Sequence, residues 1–204
     1  MQKTITALTG EVRKALDDIT PNVVDDFSTD SDAEIAQALV HAAMSLSMSL
    51  PMDMVEPKID NLSIQDDSSE ECCGFAVIPE GFLKFVSLKV NGWKGVVSDL
   101  IEKGSEAEKR QRSKWSRGTA SKPKAMIDGR MVSDVSKLVI RFWPTGTGTA
   151  TLIYIPKPIV ADNTLTCALR DVAEKNLIYL ACRIFLEGKK ESNAAEAFAK
   201  LTDL

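Results

Sequence analysis

His41 is the only histidine in the chain and sits in the middle of a helical run near no evident nucleophile, which removes most acid–base and Ser–His schemes. Gly146 and Gly148 in TGTGT suggest a phosphate loop. They lie between two strand-like runs, with no Lys-Ser/Thr after them and no helix opening, so a flexible hairpin loop is the better reading. Asp25, Asp26, Asp30 and Asp32 match a calcium loop in composition only, because the glycine and the closing glutamate are absent. The four cysteines, Cys72, Cys73, Cys167 and Cys182, show neither CxxC nor Cys/His spacing and read as inert buried thiols. No enzyme signature emerges, and no catalytic residue, cofactor or metal is expected.

One charge feature rises above the background. Lys103, Lys109, Arg110, Arg112, Lys114, Arg117, Lys122 and Lys124 face only Glu106 and Glu108, with Trp115 among them. Cations around an aromatic ring hold phosphate and stack a base. They serve equally to grip a carboxylate-rich protein surface, of which this chain has its own in the 25–32 and 66–71 loops. A plain solvated loop is the third reading. The formal net charge of −4 argues against a general polyanion binder and favours a protein contact over nucleic acid.

The elements that must position these residues follow from periodicity. Ile5, Leu8, Val12, Ala15, Leu16 and Ile19 predict a helix that Pro21 ends. Ser31 with Glu34 predicts a capping box for a second, striped by Ile35, Leu39, Ala42 and Leu46 and stopped by Pro51. From there the texture is β-branched and aromatic. Strands are predicted over 61–64, 73–78, 82–90, 124–127, 137–143 and 149–155, with a short polar helix over 105–115, and the last two strands are expected to form a hairpin around PTGTG.

The run from Thr164 to Gly188 reads as one long helix, capped by Asp162 or Asn163 and ended by Gly188, roughly 36 Å in length. Leu165, Leu169, Val172, Ala173, Leu177, Leu180 and Ile184 form its stripe. In its second half Ile178, Cys182, Phe185 and Leu186 make the opposite arc apolar too, so it needs cover on two sides, from the last helix or from another subunit. That last helix is expected to start at Asn193, paired with Glu196, and to carry Phe198 and Leu201 on one side. The fold class expected is α+β: a bundle of two N-terminal and two C-terminal helices (1–50 and 159–204) with an inserted antiparallel β-rich module (51–158), in one domain of 204 residues.

Length and composition agree with such a domain: 44% hydrophobic, 26% charged, no signal-like N-terminus and no run approaching the roughly 20 apolar residues of a membrane span. A cytosolic site of synthesis is expected.

IPEGFLKFVSLKVNGWKGVVSDLI (78–101), then EKRQRSKWSRGTASKPKAMI (108–127), resembles a pattern in structural proteins of tailed phages, especially crAss-like and related phages of gut Bacteroidetes. EVRKALDDI (11–19) and LRDVAEKNLIYLACRIFLEGKKESNAAEAFAKL (169–201) have a similar look. The family is that of head-to-tail connectors, or adaptor ring proteins. The resemblance implies a non-enzymatic virion protein of the neck or tail region, made in the host cytoplasm. It would form a ring, commonly of twelve copies, docked beneath the portal protein, lining the DNA channel and meeting neighbouring tail or ring proteins, with non-specific genome contact. On this reading Lys109, Arg110, Arg112, Lys114, Trp115 and Arg117, with Ile178, Cys182, Phe185, Phe198 and Leu201, are the subunit or portal interface. The 193–204 helix either reaches onto the portal or folds back on 177–186. The alternative is a small nucleic-acid-binding protein that uses 109–124 as its phosphate footprint.

Overall fold

The computed structural model describes residues 1–19, 31–67, 72–132 and 134–202, and among them the chain is mixed α+β, with five helices and three antiparallel sheets. Most of the aspartates at 25–32 and of the acidic loop at 66–71 lie outside the described residues. The chain divides into two compact units: Met1–Glu56 with Ile155–Leu204, and Pro57–Tyr154.

The first unit holds β1 (Gln2–Thr4), α1 (Ile5–Ile19) and α2 (Asp32–Ser49) from the front of the chain. From the back come β9 (Ile159–Ala161), β10 (Thr164–Thr166), a 3-10 turn at Asp171–Ala173, α4 (Glu174–Gly188) and α5 (Ser192–Thr202). Leu8, Val12 and Leu16 of α1 and Ile35, Leu39, Ala42 and Leu46 of α2 are buried, as their three-and-four spacing requires. Ser31 precedes α2 in helical geometry and its side chain makes no capping bond, so the expected box with Glu34 does not form. Nor does the box expected at Asn193, because α5 opens one residue earlier.

The long helix is corrected. Asp162 (φ 48°) and Asn163 (φ 57°) do not cap a helix; they are the two left-handed residues of a tight hairpin turn between Ala161 and Thr164. Leu165 pairs with Val160 on one side and Lys3 on the other, making β10 the central strand of sheet β1–β10–β9. Leu165 and Leu169 are buried through strand pairing and an isolated bridge to Val55, and Val172, placed on the apolar stripe by helical spacing, is 68% exposed. What remains is a helix of 15 residues, roughly 22 Å. It ends in a Schellman motif: Lys190, not Gly188, takes the left-handed conformation (φ 64°), with Glu191 N–H donating to the Leu186 carbonyl and Lys190 N–H to that of Glu187.

In this unit α4 packs against α1, α2 and α5. Ile178, Cys182 and Phe185 are therefore buried by the chain's own helices, and Phe198 of α5 is fully buried with its ring 6.2 Å from that of Tyr179. The apolar girth of α4 is explained within one molecule.

The second unit contains β2 (Lys58–Ser63), β3 (Gln65–Asp66), β4 (Gly74–Val77), β5 (Phe82–Val90), α3 (Glu106–Gln111), β6 (Lys124–Val132), β7 (Val135–Trp143) and β8 (Thr149–Pro156). Its sheets, β2–β8–β5 and β3–β4–β7–β6, share one core to which alternate residues of both contribute: Ile140 and Phe142 from β7, Ala150, Leu152 and Tyr154 from β8, and Leu88 and Val90 from β5. The expected hairpin of the last two strands is therefore corrected, since β7 pairs with β4 and β6 while β8 pairs with β2 and β5. The PTGTG segment carries the chain from one sheet to the other. It is tied down: Thr145 N–H donates to the Cys72 carbonyl (2.8 Å), the Trp93 indole to the Pro144 carbonyl (3.2 Å), and a Cβ on Gly146 would stand 2.2 Å from Val90 Cγ1.

Candidate interface loop

Of the sequence-predicted residues, Lys109, Arg110, Arg112, Lys114, Trp115 and Arg117 fall together, at the end of α3 and in the loop after it. α3 starts because the Ser105 hydroxyl accepts the Glu108 N–H (3.3 Å) while the Glu108 carboxylate reaches back to Gly104 N–H (2.6 Å). It is short, and the chain then turns through bonds from Ser113 N–H to the Arg110 carbonyl and from Arg117 N–H to the Ser113 carbonyl.

Gln111 closes this loop. Its side chain is buried at 4% exposure, donates to the Ala107 carbonyl (2.7 Å) and accepts the Gly118 N–H (2.8 Å). Gly118 rests on the β7 backbone so closely that a Cβ there would meet the Trp143 carbonyl oxygen at 2.5 Å. The Ser116 hydroxyl adds a bond to the Arg110 carbonyl (2.9 Å). Ser113–Arg117 is thus held at both ends, and Trp115 projects from it 93% exposed. Lys109 pairs with Glu106 (2.9 Å); Arg110, Lys114, Lys122 and Lys124 make no ion pair among the described residues. No periodicity in the sequence marks Gln111 or Gly118, whose roles come from what they touch.

Four of the five remaining predicted contacts are corrected. Ile178, Cys182, Phe185 and Phe198 are buried in the core of the first unit; of the five, Leu201 alone is exposed, at 48%.

A charge cluster unmarked in the sequence lies beside β6 and β7. The Asp67 carboxylate, 1% exposed, takes both terminal nitrogens of Arg130 (2.7 and 3.0 Å) and Arg141 Nη2 at 3.2 Å. Asp128 receives Lys103 at 2.5 Å, a hydrogen bond that raises the lysine's pKa. Arg130 stacks 4.5 Å over the Phe75 ring. Mutual pairing makes this cluster a brace between the start of the 66–72 segment and the β6–β7 ribbon.

Chemistry elsewhere is sparse. Burial pushes the Cys182 thiol up to about 12, so it stays protonated at neutral pH and is no nucleophile. A groove of about 220 Å³ between α2 and α4 includes His41, but its ionic side chains, Glu34 and Lys189, are paired with each other, and its volume is below that of ordinary ligand sites. No group of histidine, cysteine and carboxylate side chains among the described residues could hold a metal ion, and no described helix is long and apolar enough to cross a membrane. Neither a family model nor a curated protein matches the chain.

Proposed function

We propose that this chain is a virion structural protein, a head-to-tail connector subunit that forms a ring, docks beneath a portal and lines the channel for DNA. The carrying observation is Trp115. A tryptophan side chain offers 150–250 Å² of surface, about 4–6 kcal/mol of transfer free energy, part of which a covering partner would realise after the costs of association. Here it is held out on a clasped loop among cations, of which Arg110 and Lys114 make no ion pair among the described residues, and tryptophan and arginine are both enriched at protein–protein hot spots. In this reading the helices of 1–50 and 159–204 form a bundle carrying 51–158 as an inserted module. The grouping of both chain ends into one compact unit supports that arrangement.

The apolar girth of α4 lends no support, since α1, α2 and α5 cover it. The reading rests on the second unit's loop and on the resemblance of 78–101 and 108–127 to connector sequences.

The same loop keeps the nucleic-acid reading alive, because seven cations and no carboxylate occur from Lys109 to Lys124 around a stacking ring. Mass photometry of the purified protein with and without the portal, for wild type and Trp115→Ala, decides. Rings that form for wild type and are lost in the variant support the connector. Monomers throughout, with salt-sensitive DNA affinity that falls in the variant, support nucleic-acid binding.

A further inference from the structure

Charge is segregated along this chain to an unusual degree. From residue 15 to 57 there are nine carboxylates (Asp17, Asp18, Asp25, Asp26, Asp30, Asp32, Glu34, Asp53, Glu56) and no lysine or arginine; from 109 to 124 there are seven cations and no carboxylate. The acid-only stretch belongs to the first unit and the base-only stretch to the second.

Within the first unit, part of that acid is used: Asp32 is held by Arg13 and Glu34 by Lys189. Asp17 and Asp18 are not. Both are exposed, neither is ion-paired among the described residues, and both stand in the last turn of α1, the helix end where the macrodipole disfavours carboxylates and no basic residue offsets them. Arg110 and Lys114 beside Trp115 are likewise without an ion partner among the described residues.

We propose that the Trp115 loop of one copy docks on the acidic surface that includes Asp17 and Asp18 of a second copy of this chain. The contact is head-to-tail: the two surfaces differ and belong to different units, and a contact between unlike surfaces generates a ring where its rotation closes. Long-range attraction brings the surfaces together and makes association fall with ionic strength, while Trp115 supplies the apolar anchor at the centre. This rests on the connector reading and names the contact between its subunits.

The test uses two full-length variants, Arg110→Glu/Lys114→Glu and Asp17→Lys/Asp18→Lys, with circular dichroism melts as the control for folding. Sedimentation velocity in low and high salt is expected to show wild-type oligomers that weaken with salt. Each variant alone should associate at least about tenfold more weakly, and an equimolar mixture should recover oligomers containing both chains. Wild-type assembly with both variants assembling equally well overturns the contact and leaves the connector reading standing. A loop variant that fails and is not rescued by its counterpart assigns the loop to another partner and also overturns it. A wild-type chain that stays monomeric with and without a portal overturns the connector reading itself, and the contact with it.

Discussion

The Gly118 N–H donates to Gln111 Oε1 across 2.8 Å, closing the span between them that presents Trp115. The amide of Gln111 is buried and bonded at both ends, so removing it leaves the Gly118 N–H and the Ala107 carbonyl without their partner. Gln111→Ala is expected to cost about 1–3 kcal/mol and to loosen the loop. Urea unfolding and the fluorescence anisotropy of Trp115 check the two effects. Trp115→Ala, which removes no packed contact, should leave the urea midpoint unchanged.

Gly118→Ala tests the same clasp from the other side. The new methyl would stand 2.5 Å from the Trp143 carbonyl oxygen, a backbone atom at the buried C-terminal end of β7, so the loop base must shift. A loss of about 1–3 kcal/mol is expected, against no loss for alanine at Gly129, inside β6, where a Cβ meets nothing within 4 Å and glycine is the less favourable strand residue.

Asp67 is the keystone of the charge cluster, at 1% exposure between Arg130 and Arg141. Asp67→Ala leaves two guanidinium groups beside an emptied site and is expected to destabilise the second unit by about 3–5 kcal/mol. Lys109→Ala, which breaks the exposed pair with Glu106, should not move the denaturation midpoint measurably. Thermal and urea melts of the two variants make the comparison.

Phe198→Ala separates core from interface in the C-terminal helices. Its side chain is fully buried against α4, so the expected loss is about 3–5 kcal/mol in stability, with the stoichiometry by mass photometry unchanged below the melting temperature. Leu201→Ala, on the exposed side of the same helix, should be nearly silent in stability. A change in stoichiometry for Phe198→Ala without loss of stability would return this helix to the interface.

The Cys182 thiol gives a pH prediction. Its pKa is raised by burial from 9.0 in the unfolded chain to about 12 in the fold, so above pH 9 the unfolded state releases a proton that the folded state retains. The stabilising contribution is complete below about pH 9 and declines by about 1.4 kcal/mol per unit as the pH climbs toward 12. Under reducing conditions, the slope of stability between pH 9 and 11 should be shallower in Cys182→Ala than in wild type.

What could be read in the chain was local. Three-and-four spacing marked α1 and α2 within a residue or two, β-branched and aromatic runs marked β5, β7 and β8, and a run of cations marked the Trp115 loop, because periodicity, composition and charge are properties of neighbours in sequence. The partners of those elements were not local. The run from Thr164 to Ala173 has helical spacing, yet Leu165 lies in a strand because Lys3, 162 positions away, pairs with it and two left-handed residues turn the chain before it. The apolar arc through Ile178, Cys182 and Phe185 looked like a subunit contact because one sequence cannot state which surface covers a helix; α1, α2 and α5 do so here. Burial and pairing are decided by residues brought together from distant parts of the chain, and the free energy gained there outweighs the modest helical preference of any single segment.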